Sequence, residues 1–244
     1  MEKTKSVRNP FPWIWKVFKY EMKNSARILL PLYVTTVFAA LICRLLFLDG
    51  FEGLDSAFDS LSGIFMILYY VILVTSGVVS AAVFVLRFKT GILGDEAYLN
   101  FMLPVTVGEH LWGRVLSIVA WIPVCLLSGF LSLTIVGVVR KSDYEFKNWL
   151  LLASIFITIV LFAYLVNTVG HLAKKHRTIA KIVAVTVILS ATLRILVSVF
   201  ENVRYIDSYL GKYDAYVVSL TLLIFSAIYG VVTYFILKHR LNLE

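Results

Sequence analysis

Two carboxylates followed by a run of large apolar side chains stand between a pair of glycines and a proline. They are Asp95 and Glu96, then Tyr98, Leu99, Phe101, Met102 and Leu103, with Gly91 and Gly94 before them and Pro104 after. These residue types do recognition chemistry. Carboxylates pair with Arg or Lys, and aromatic side chains fill an apolar groove on a partner. The same residues also suit a short helix resting on lipid, and spacing alone does not choose between the two. Asp95 can cap a helix over 96–103, with Glu96 at its positive end. Pro104 stops that helix, because its ring and missing N–H block continuation. Thr106 and Glu109 then form a capping box that starts the next helix, and Ser142 with Glu145 repeats the pattern further on.

A second set of polar side chains stands inside otherwise apolar runs: Arg44, Asn167 and Arg194. In hydrocarbon such groups line a polar path, contact another subunit or, for a long stem, reach out to the headgroups. Asn167 suits a hydrogen bond between helices. Ser76, Gly77, Ser80 and Ala81 give the small-residue spacing that lets helices approach closely.

Much catalytic chemistry is missing. The six apolar runs hold no Asp, Glu or His, which argues against proton or cation coupling through a buried carboxylate. There is no His-Glu-x-x-His, no Gly-x-Ser-x-Gly and no Walker lysine loop. His171 and His176 are five apart, a poor spacing for one metal. Cys43 and Cys125 both fall in apolar runs, as small packing residues do. The chain is therefore expected to be no enzyme and to hold no catalytic residue, metal or cofactor of its own.

The elements that must position these residues are helices that cross a bilayer. The chain has 244 residues and is 60% hydrophobic, with only 16% charged. A span needs about 20 apolar residues, and six runs meet that, at roughly 29–48, 61–86, 115–139, 150–170, 182–200 and 216–237. The runs do not alternate, so a β-barrel is disfavoured. Segments 1–28, 87–114, 171–181 and 238–244 carry sixteen Lys/Arg, against five in 49–60, 140–149 and 201–215. The positive-inside rule then puts both termini of a multi-pass cell-membrane protein in the cytoplasm. The net charge of +8 reads as retention charge facing anionic lipid, and calls for no nucleic acid.

Before the first run, Phe11, Ile14, Trp15, Phe18 and Met22 share one helical face, and Lys16, Lys19, Lys23 and Arg27 share another. That pattern predicts an amphipathic helix lying in the membrane interface. The expected fold is all-α and polytopic. A cytoplasmic segment 1–28 with an interfacial helix leads into six transmembrane helices over 29–237. Loop 87–114 carries a short cytoplasmic helix, and 238–244 is a tail.

The stretch Arg87-Phe88, Gly94-Asp95-Glu96-Ala97-Tyr98-Leu99 and Leu103-Pro104-Val105-Thr106 resembles the first cytoplasmic loop of ABC-2 type transporter permeases, in a subgroup from Gram-positive bacteria. Ala97 stands where that pattern has Gly. Residues 18–33 are similar to the family's entry into its first span. The resemblance implies a permease subunit of an ATP-driven exporter, paired with a second copy or a paralogous permease. It further implies that Asp95, Glu96, Tyr98, Leu99, Phe101 and Met102 form a coupling helix seated on a separate ATPase, which holds ATP and Mg. The segment before the first span would then be the family's elbow helix. Two other classes fit the residues: a membrane-anchored immunity or regulatory protein that sequesters a peptide, and a transporter that works without an ATPase. The substrate is not legible.

Overall fold

The computed structural model describes residues 11–48, 57–94, 106–137, 146–173, 176–210 and 214–239. Every regular element among them is helical: α1 (Phe11–Leu48), α2 (Ala57–Phe88), a π-helical turn (Lys89–Leu93), α3 (Val107–Val136), α4 (Phe146–Leu172), α5 (Arg177–Leu210) and α6 (Asp214–His239). All six α-helices are long and apolar enough to cross a membrane, as a multi-pass protein requires. Each of the six apolar runs read from the sequence falls on one of these six helices.

The ends differ from expectation in an instructive way. The third helix stops at Val136 rather than near 139. Gly137 takes a left-handed conformation, φ +83°, and returns its N–H to the carbonyls of Leu133 and Thr134. A glycine tolerates that backbone without penalty, so it ends the helix there. The amphipathic segment over 11–27 is not a separate helix. It runs without a break through Pro31 into the first span, as one helix of 38 residues. At about 1.5 Å per residue that is roughly 57 Å, nearly twice a ~30 Å hydrocarbon core. The basic segment and the first span are therefore one continuous element. Its basic stripe is exposed, as expected, and so are Phe11 and Trp15. The face it buries is a third one, along Glu21, Ser25, Leu29 and Tyr33.

The bundle has two lobes. In one, α1 packs most extensively on α3 and also on α2; in the other, α4 packs on α6, with α5 against both. The lobes join through α2 and α3, which meet α4, and through α3 with α6. One core cluster fills this junction, around Phe84, Phe88, Trp121, Val160 and Tyr164. A smaller one lies toward the other end of α1, around Ala40, Cys43, Tyr69 and Val136. Several polar groups in both are satisfied internally, as hydrocarbon demands. Tyr33 Oη donates to Ser80 Oγ over 3.0 Å, Ser80 Oγ donates to the Ser76 carbonyl, and Tyr69 Oη donates to Ser132 Oγ over 2.9 Å. Ser76 and Ser80 thus form the close-packing face expected of α2, whereas Gly77 faces open space.

Candidate functional site

Residues Asp95, Glu96, Tyr98, Leu99, Phe101 and Met102, and the short helix over 96–103 that would carry them, lie outside the described residues, as does the Ser142–Glu145 pattern. What is described is how the chain enters and leaves that segment, and both ends close on one carboxylate.

Glu21 is the one acid between Lys3 and Leu48. It lies on the packed face of α1, 7% exposed. Arg87, in the last turn of α2, places Nη1 3.3 Å from Glu21 Oε2. Arg114, two turns into α3, places Nε 3.1 Å from Glu21 Oε1. The first contact is a hydrogen bond. The second is an ion pair by distance whose N–H is not aligned on the oxygen, so Arg114 Nε counts among the unpartnered buried atoms. Arg114 does donate through Nη1 to the carbonyls of Arg87, at 3.0 Å, and Phe88, at 3.4 Å. Those carbonyls close α2 just where the π-helical turn begins. The Arg87 carbonyl also accepts from Thr90 Oγ1, so the guanidinium from α3 adds a bond between helices at the junction. Two guanidiniums share one carboxylate, so the cluster carries a net positive charge.

The surroundings hold the cluster in place. Phe88 stacks on Tyr164 of α4 with ring centroids 4.0 Å apart, and Tyr164 Oη donates to the Phe84 carbonyl over 3.3 Å. Glu21, Arg87 and Arg114 line a small cavity together with Phe84, Ser117 and Tyr164. The start of α3 is fixed by the capping box read from the sequence. Thr106 Oγ1 accepts from the Glu109 N–H, and Glu109 Oε2 accepts from the Thr106 N–H over 2.8 Å. Gly113 lets α1 come close, since a Cβ there would meet Val17 at 2.7 Å and the Ile14 carbonyl at 3.2 Å. Gly94 is similarly constrained on leaving the π-helical turn, where a Cβ would stand 2.8 Å from the Thr90 carbonyl. Besides Arg114 Nε, three buried polar atoms along the same α1–α3 seam have no hydrogen-bond partner among the described residues: Ser25 Oγ, Ser117 Oγ and Trp121 Nε1.

Sequence reasoning missed Glu21. Its signal was present: Glu21, Ser25 and Leu29 recur at i, i+4 and i+8, a third face on a helix read as two-faced. The spans as read from the sequence hold no acid, but the helices extend past them. Glu21, Glu109 and His110 are therefore helical and buried.

The three intramembrane polar residues go to different places. Arg44 lies at the far end of α1, with Nη1 3.2 Å from where a Cβ on Gly137 would be. A cation there meets the negative end of α3. Asn167 accepts a hydrogen bond from Lys181 Nζ over 2.9 Å and joins α4 to α5. Arg194 lines a shallow groove along α5 with Val187, Ser190, Ala191 and Ser198. No hydrogen bond or ion pair among the described residues joins the three to each other. Cys43 and Cys125 are both free, and Cys43 donates weakly to the Phe65 carbonyl.

What this arrangement can do is mechanical. A single buried carboxylate ties the entrance and the exit of the 95–105 segment to α1, and a displacement of either end is resisted by charge. No family model matches the chain, and neither does any curated protein or solved structure.

Proposed function

We propose that the chain is the membrane-spanning permease subunit of an ATP-driven exporter of the ABC-2 type. A separate ATPase, holding ATP and Mg, drives it through residues 95–103, and a second permease copy or paralogue completes the path. Both termini face the cytoplasm of the cell membrane, on the charge asymmetry of the segments outside the spans.

One observation carries the reading: Arg87 and Arg114, at the two ends of the proposed coupling segment, converge on Glu21 of α1. Force applied to the segment must load both guanidiniums, and their shared acid transmits it to a helix that spans the bilayer. The α1–α3 seam suits a moving part. Each unpartnered buried polar group costs about 1–3 kcal/mol. A second packing that supplied partners to Ser25, Ser117 and Trp121 would recover that cost, so two arrangements of the seam can lie close in free energy.

The test is affinity purification of the tagged chain from native membranes. The expected companion is a soluble ATPase with Walker motifs. Tyr98→Asp with Phe101→Asp should release it while insertion stays intact. If no ATPase accompanies the wild-type chain, or if the double variant keeps both the ATPase and full ATP-driven transport, the reading fails.

A further inference from the structure

A second set of charges lies at the same end of the bundle and is arranged in the opposite way. Lys181, near the start of α5, lays its stem across Gly170 of α4. A Cβ at Gly170 would collide with that stem at three carbons. Its ammonium donates to Asn167 Oδ1. The Asn167 amide is itself oriented, because Nδ2 donates to the Ala163 carbonyl over 2.8 Å. Lys181 is therefore held, not free to swing. The π-helical turn that carries Lys89 packs on α4, His171 follows Gly170 at the end of α4, and Arg177 stands one turn before Lys181 on α5, so the charges of Lys89, Arg177 and Lys181 act at His171. Among the described residues no carboxylate pairs with any of the four. The sequence adds Lys174 and Lys175 between His171 and Arg177.

Like charges gathered at the edge of hydrocarbon repel one another. Glu21 relieves the two guanidiniums of the neighbouring cluster. Among the described residues no carboxylate offsets Lys89, Arg177 and Lys181, so their summed charge favours an anion bound here. The positive end of α5, which begins at Arg177, favours it further. The flanking residues say which kind of anion. Ile179, Ile182 and Val183 are all more than half exposed and begin the outward face of α5 beside Arg177 and Lys181. A free inorganic anion has no use for that surface, whereas an acyl chain does.

We propose that Lys89, His171, Arg177 and Lys181 form a binding site for the phosphate of an anionic phospholipid, with its acyl chains along the outer face of α5. The site goes beyond the transport reading and needs no ATPase, so its failure would leave that reading untouched.

The full chain, purified without partners, is offered equal phosphatidylglycerol and phosphatidylcholine in mixed micelles, and retained lipid is counted by native mass spectrometry. The wild type should keep phosphatidylglycerol preferentially. Arg177→Gln with Lys181→Gln should lower the preference about fivefold per charge removed. Lys238→Gln, a basic residue at the same end but on α6, should leave it unchanged. Gly170→Ala, which crowds the Lys181 stem and removes no charge, should lower it too. Melting in phosphatidylcholine alone separates loss of lipid from loss of fold: a folded variant is scored, and an unfolded Gln pair is replaced by Lys181→Gln alone. Equal preference in wild type and folded site variants overturns the proposal. So does removal of the lipid by millimolar inorganic phosphate, which would mark a site for a free anion.

Discussion

The α1–α3 seam and helix α5 are both apolar enough to span a bilayer, yet they are held by different means. Along the seam, a buried ion pair and a glycine contact bring two backbones together. Helix α5 buries 6% of its most apolar stretch, against 28% for α1 and 33% for α4, and no ion pair to a carboxylate holds it among the described residues. Lipid is as apolar as leucine, so apolar surface gives neighbouring helices little reason to associate. Packing, close approach and polar contacts must do it. The seam has all three, and α5 has chiefly its short approach to α4 and α6. A spanning segment that must stay in register needs specific contacts, whereas one that faces lipid needs only to be apolar.

That contrast can be broken by substitution. The largest effect is expected at Glu21. Glu21→Ala leaves the buried Arg114 and the partly buried Arg87 without an acid, and removal of one partner from a buried pair costs about 3–5 kcal/mol. Thermal unfolding in a fixed detergent should show it. A loss no larger than that of a surface substitution would mean the cluster is solvated and holds nothing. Gly113→Ala comes next, at about 1–3 kcal/mol, because the new methyl meets Val17 and the Ile14 carbonyl. Crosslinking between cysteines placed on α1 and α3 should weaken with it. Tyr69→Phe, which removes the hydroxyl bonded to Ser132, should cost about 1 kcal/mol in the same melt. The smallest effect belongs to α5. Ile182→Ala or Val187→Ala, both on its exposed face, should stay within about 0.5 kcal/mol of wild type. Should these match Glu21→Ala, α5 would be packed against something in the membrane and the contrast would vanish.

How far the chain could be read depends on the kind of signal. The six helices were legible because a span leaves a long, local mark: about twenty apolar residues in a row, with charge at the ends. The capping box at Thr106 and Glu109 was legible for the same reason, since its partners are three residues apart. The two-stripe reading of residues 11–27 found the exposed basic face. It gave no warning that the helix continues into the first span, because a hydrophobicity pattern marks where solvent changes and not where a helix stops. Gly137 ended α3 earlier than the apolar run, which continues through Val138 and Val139. Asn167 was read as a bond between helices and is one, with Lys181 as a partner no local rule identifies.

By itself, the sequence determined that this protein is a bundle of spanning helices, because the cost of backbone and charge in hydrocarbon is set residue by residue along the chain. Only the tertiary structure decided that Glu21, Arg87 and Arg114 are one cluster, and that Lys89 joins the basic segment of His171, Arg177 and Lys181. Each cluster draws on more than one element, and a pairing between helices depends on how each is rotated and how far it slides against its neighbour. Those two quantities are fixed by side-chain packing across the whole bundle, and no stretch of the chain contains them.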